Sequence, residues 1–166
     1  MLIFKPTFAI LAVAAIAVGL GFASKSAPAK ASLEGSYILE YRLLPAGKRV
    51  ESPDVIGMMT YTKDRRNMNV YWSEGGKATS ISIIASYSLS ETEYTEKDIY
   101  FAKNDAGSGI TYDLSGKTGK SPVVAKDGKL SMLMPLHGEP TLSIEPNGDL
   151  VASEAGVFSD HWKKVR

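Results

Sequence analysis

From residue 33 onward, apolar and polar side chains alternate with a period of two, and clusters of Gly, Pro, Asn and Asp punctuate the alternation. That period predicts β-strands, because successive side chains of an extended chain point to opposite faces. Residues 33–44 place Leu33, Tyr37, Leu39, Tyr41 and Leu43 on one face and Glu34, Ser36, Glu40 and Arg42 on the other. Pro45, Ala46 and Gly47 then break the strand. Residues 56–62 and 67–72 read as a hairpin around a polar turn at 63–66, with Met68, Val70 and Trp72 facing away from Asn67, Asn69 and Tyr71. The cleanest alternation is residues 79–89, where Ile81, Ile83, Ala85, Tyr87 and Leu89 share a face opposite four serines. A helix would scatter those serines around its circumference, and β-branched residues resist helical crowding.

Further strands are expected at residues 94–103, 110–114, 123–125, 130–134, 141–144, 150–153 and 157–165. Asp127-Gly128 and Asn147-Gly148 are dipeptides that tolerate positive φ at both centres of a tight hairpin turn. No window carries a helical period and no internal repeat is visible. About ten short strands joined by short turns predict an all-β, antiparallel, up-and-down meander, and closing it into a small barrel removes the exposed edges. Such a barrel encloses room for its own side chains or for one small ligand.

The chain starts differently. Residues 1–23 have the form of a cleaved signal peptide: a charged start at Lys5, an apolar run over residues 8–20, and small residues at Gly21 and Ala23 before the cleavage point. A retained membrane anchor is the alternative, although the run falls short of the roughly 20 residues that span a bilayer. Residues 24–32, all Ala, Ser, Lys and Pro, read as a flexible linker, leaving residues 33–166 as one barrel domain. The expected location is outside the cytoplasm, periplasmic or secreted, and the expected state is a monomer or weak dimer. With no cysteine in the chain, neither a disulfide nor a cysteine-borne lipid anchor is available.

Charge excludes one class of partner. Nineteen basic residues against eighteen acidic ones give a net charge of +1, so no overall field draws the chain to nucleic acid. No membrane association beyond export is expected.

Catalytic chemistry finds little support. The two histidines are His137, in a turn-like Leu136-His137-Gly138-Glu139, and His161, next to Asp160. Both read as ordinary surface or turn residues. Extended backbone sends Asp160 and His161 to opposite faces, so they do not make a base and its orienting carboxylate. No Gly-x-Ser-x-Gly elbow and no phosphate-binding glycine loop occurs. His137-x-Glu139 is the nearest approach to a metal-ligand pair, without evident further donors. Glu91, Glu93, Glu96 and Asp98 read as a solvated hairpin. No catalytic residue, metal or cofactor is therefore expected.

The interior is the remaining candidate. Met58, Met68, Val70, Trp72, Ile81, Ile83, Tyr87, Tyr112, Leu130, Met132 and Met134 are expected to face inward. Thioethers are flexible and polarizable, and Tyr and Trp add fixed hydrogen bonds, so this set could line an adaptable pocket or simply fill the barrel.

The opening Leu33-Glu34-Gly35-Ser36-Tyr37, the run from Tyr41 to Lys48, the run from Ile56 to Asp64 and the closing Trp162-Lys163-Lys164-Val165 resemble the bacterial lipocalin-like domain family, a calycin-type group of largely unassigned function. The resemblance implies a barrel with a ligand-pocket interior and transfers no catalytic residue. Lipocalins open on Gly-x-Trp and set an arginine of the last strand over the indole. Here Gly35 and Tyr37 stand at that opening, with Trp162 near the end and Lys163, Lys164 or Arg166 as the cation. The resemblance thus implies barrel closure at Gly35, Tyr37, Trp162 and Lys164, by a cation over the tyrosine face. On this reading the chain binds a small hydrophobic or amphipathic molecule. An isomerase or cyclase using Tyr87, Tyr112 or His161 on an apolar substrate is the alternative, as is a structural or protein-binding envelope factor with a filled barrel.

Overall fold

The computed structural model describes residues 32–166. The signal peptide and nearly all of the linker expected from the sequence lie outside the described residues. Thirteen antiparallel strands make up the described chain: β1 (Gly35–Leu43), β2 (Arg49–Val50), β3 (Val55–Tyr61), β4 (Arg65–Glu74), β5 (Lys77–Leu89), β6 (Glu93–Asn104), β7 (Ile110–Asp113), β8 (Thr118–Pro122), β9 (Val124–Lys126), β10 (Lys129–Leu133), β11 (Thr141–Ile144), β12 (Leu150–Glu154) and β13 (Phe158–Lys164). Apart from these there is one short 3-10 turn at Pro45–Gly47. No helix among the described residues is long and apolar enough to cross a membrane.

The strands form a single curled sheet, a half-barrel, in the order β7-β6-β5-β4-β3-β1-β13-β12-β11-β10-β9. The first long strand pairs with the last, Tyr37 opposite Lys164 and Arg42 opposite Asp160. At the other side of the curl, β8 and β9 are two halves of one segment kinked at Val123. The first half ladders with β6 and the second with β10. No ladder between β8 and β10 occurs among the described residues. The seam is instead a packing contact, in which a Cβ on Gly119 would lie 2.8 Å from Pro135 and 2.9 Å from Leu136. Only glycine fits a backbone that close. The sequence reading missed β2 and β8, because β2 is only two residues long and β8 carries no apolar alternation.

Two β-bulges control which side chains turn inward. In β1, Leu39 pairs with Trp162 and Tyr41 with His161, leaving Glu40 as the extra residue. One extra residue reverses the alternation. Tyr37 and Leu39 are therefore buried, but beyond the bulge it is Arg42 that turns inward. This corrects the assignment of Arg42 to the outer face. In β6 the extra residue is Ile99, and the inward set changes from Tyr94, Glu96 and Asp98 to Phe101 and Lys103.

Gly57 explains a second correction. A Cβ at this position would meet the Trp162 ring at 2.6 Å, so the indole lies directly over the bare backbone. The buried face of β3 is accordingly Val55, Gly57, Met59 and Tyr61, and Met58 points out with 54% of its surface exposed. The turn chemistry also departs at one place. Asp127 and Gly128 both have positive φ (53° and 77°), whereas at Asn147-Gly148 the positive φ falls on Gly148 (86°). There Gly148 N–H donates to Glu145 O and Glu145 N–H to Asp149 O, which makes a longer hairpin loop.

Candidate ligand cavity

The concave side of the sheet encloses a cavity of about 610 Å³. Pockets for small molecules fall in the range of roughly 300 to 1,000 Å³. Its wall is built mainly from residues of β1–β6 and β11–β13, among them Met59, Met68, Val70, Ile81, Leu142 and Trp162. Exposed residues of loops and strand ends, including Pro45, Asp54, Ser73, Glu154 and Val157, make the rim.

Four tyrosines fill the end away from this rim. Tyr37, Tyr61, Tyr87 and Tyr94 form a chain of ring contacts with centroid separations of 6.4, 5.1 and 6.0 Å. The Tyr37 hydroxyl donates to Leu33 O at 2.8 Å, and Lys164 Nζ sits 5.5 Å from the centroid of the Tyr37 ring. Gly35 lies against the same lysine: a Cβ there would be 2.5 Å from Lys164 Cε. Burial pushes the Tyr37 and Tyr87 hydroxyls up to about 12, because it disfavours the phenolate. Burial likewise raises Tyr61 and Tyr94.

Charged side chains enter this apolar space as neutralised groups. Arg66, opposite Tyr61 in the β3–β4 ladder, holds Glu96 through Nη1 at 2.9 and 3.0 Å and Glu139 through Nη2. Glu96 also accepts from the Tyr94 hydroxyl at 2.5 Å. Burial raises the Glu139 carboxyl, with Arg66 pulling the other way. Burial alone would depress Arg66, but Glu139, Tyr61 and Glu96 hold it above its ordinary value. Nearer the rim, Arg42 pairs with both oxygens of Asp160 at 2.6 and 2.8 Å. Its guanidinium lies 4.7 Å from the Trp72 ring centroid and 4.6 Å from that of Phe158.

Some polar atoms lack such partners. The Tyr61, Arg66 and Trp162 side chains line the cavity, and the Tyr61 hydroxyl, Arg66 Nε and Trp162 Nε1 are buried with no hydrogen-bond partner. Arg66 Nε and Trp162 Nε1 can only donate. An unsatisfied buried donor costs about 1–3 kcal/mol, so each of these atoms favours an acceptor.

The loop after β10 contributes its own pair. His137 has φ 54°, a left-handed conformation that turns its ring onto Phe101, stacked at 3.8 Å. Its Nε2 is 2.7 Å from Asp98 Oδ2. Glu139, two residues on, goes to Arg66 instead, so His137 and Glu139 diverge and do not chelate together.

The residues expected to line the interior separate into three groups. Met68, Val70, Trp72 and Ile81 border the cavity, as does Met134. Ile83, Met132 and Tyr87 belong to the packed core around it, with Leu130 half-buried against that core. Met58 and Tyr112 are outside, Tyr112 at 62% exposure on the edge strand β7. Edge position, with no covering layer, is the reason for Tyr112. The acidic stretch needs a correction too: Glu96 and Asp98 are almost fully buried, at 1% and 2% exposure. His137 sits in a turn as expected, but its side chain is mostly buried against Asp98. His161 packs on the outer face, its ring stacked 4.3 Å from Tyr41.

Two signals could have found these polar groups. Period two puts Glu96 and Asp98 on the face of Tyr94, and Arg66 on the face of Met68, Val70 and Trp72. A cation and carboxylates sharing an apolar face are partners in waiting. Compared with known proteins, the chain matches no family model, no curated protein and no solved structure.

Proposed function

We propose that the chain is an exported, lipocalin-like binding protein that holds one small amphipathic molecule inside the curled sheet. The observation that carries this reading is an apolar cavity of about 610 Å³ lined by Tyr61, Arg66 and Trp162, each of which has a buried polar atom without a partner: Oη, Nε and Nε1 respectively. A hydrocarbon body suits Met59, Met68, Val70 and Ile81, and an acceptor atom suits the three donors. That acceptor is uncharged. Glu96 and Glu139 already surround Arg66, so a third carboxylate would meet their repulsion.

Quenching of tryptophan fluorescence by a medium-chain methyl ester, the matching carboxylic acid and the matching alkane tests the reading. The ester binds most tightly, and Val70→Trp, which fills the cavity, abolishes its binding. Failure of all three to bind, or binding that survives Val70→Trp unchanged, overturns it.

An isomerase or cyclase is a second reading, supported by two ionisable side chains on the cavity wall, buried Glu139 and His137. It requires proton exchange at a bound ketone in deuterated water, lost in Glu139→Gln. Binding without exchange leaves the first reading alone.

A further inference from the structure

Three side chains that the ligand reading does not use converge beside β6 and β7. Asp98 lies on the inner face of β6 next to the bulge, almost completely buried. Its Oδ2 faces His137 Nε2, and its Oδ1 has no hydrogen-bond partner. Asp113 ends β7, and one ligand atom from each of Asp98, Asp113 and His137 lies within 4.8 Å of the other two. The stacking of His137 on Phe101 fixes the imidazole in this orientation.

A buried carboxylate oxygen with no donor is unfavourable until a hydrogen bond or a cation completes its surroundings, and a cation answers its charge as well. One imidazole nitrogen with carboxylate oxygens is a donor set of first-row divalent ions, which imidazole suits better than it suits calcium or magnesium. Lys117 currently occupies Asp113, its Nζ 2.7 Å from Oδ2. That lysine is 61% exposed, so its long stem can carry the ammonium into solvent. We propose that Asp98, Asp113 and His137 bind a divalent first-row transition ion of the Zn2+ type. Three protein ligands leave a position for water, the arrangement of sites that act on a further molecule. The site stands independently of whether the cavity holds a ligand.

Calorimetric titration of the full chain with Zn2+ alone, near neutral pH, tests it. One equivalent binds, and the imidazole resonances of His137 shift while those of His161 do not. Asp113→Asn and His137→Gln each weaken binding by about 10- to 100-fold or more, ligand losses being at least as costly as second-shell ones. Lys117→Met, an exposed change that leaves the core alone, tightens binding by removing the competing ammonium. His161→Gln has no effect. Absence of stoichiometric binding by the wild type overturns the proposal. So does binding that moves with His161, or binding unchanged in Asp113→Asn and unaffected by Lys117→Met.

Discussion

Arg42 and Asp160, 118 residues apart in sequence, form a two-pronged ion pair across the β1–β13 ladder. Both are buried, so removing one partner leaves an uncompensated charge. Asp160→Ala therefore destabilises the fold by about 3–5 kcal/mol. The double variant Arg42→Met, Asp160→Leu recovers most of that loss, because an apolar pair of similar volume needs no neutralisation. Urea unfolding of the single and double variants measures both effects, and a single variant within 1 kcal/mol of wild type, roughly the value of an exposed pair, would contradict the burial.

The contact of Trp162 with Gly57 gives the second expectation. Gly57→Val drives two methyl groups into the indole and costs about 1–3 kcal/mol or more as an overpacked core. Trp72 and Trp162 are the two tryptophans of the chain, so a change in emission accompanies it. An unaltered spectrum and unfolding midpoint would mean that the ring does not lie over this backbone.

Alkali should open the tyrosine end. Tyr37 and Tyr87 have hydroxyls raised to about 12 in the folded chain, against 10.0 for a free side chain. A raised value means that the unfolded chain loses these protons first. Their contribution to stability is therefore complete below pH 10 and declines as pH climbs towards 12. Tyrosinate absorbance followed alongside circular dichroism checks this: a fraction of the rings ionises only as structure is lost. Full ionisation with the sheet intact would refute it.

Tyr61→Phe separates stability from binding. Deleting a buried hydroxyl without a partner relieves a penalty, so the ligand-free chain gains up to about 1–3 kcal/mol. The same change removes a donor and weakens the methyl ester about 5- to 30-fold, taking about 1–2 kcal/mol for one neutral hydrogen bond. Thermal unfolding and ester titration on one preparation read both. Loss of stability together with unchanged affinity would place the hydroxyl in the packing rather than in the cavity's chemistry.

Much of the sheet is written in the alternation. Ile81, Ile83 and Ala85 face inward because nothing disturbs their period between Lys77 and Leu89 on the cavity side. The polar interior was harder to see for specific reasons. A bulge at Glu40 reverses the phase just before Arg42, and no residue type announces a bulge there. Gly57 occupies a core position without an apolar side chain, which shifts the apparent inner face to Met58. Glu96 and Asp98 look solvated until Arg66 and His137, remote in sequence, are brought against them. Non-local neutralisation leaves no mark in any short window.

Pairing of the first long strand with the last has a consequence for how the molecule comes into being. The residues that meet Tyr37 and Arg42 are made after all the other described strands, so the curl stays unlatched until β13 arrives. Contacts of such wide sequence separation make folding slow. Until then Leu39 has no Trp162 beside it, and that side of the nascent sheet stays open to water.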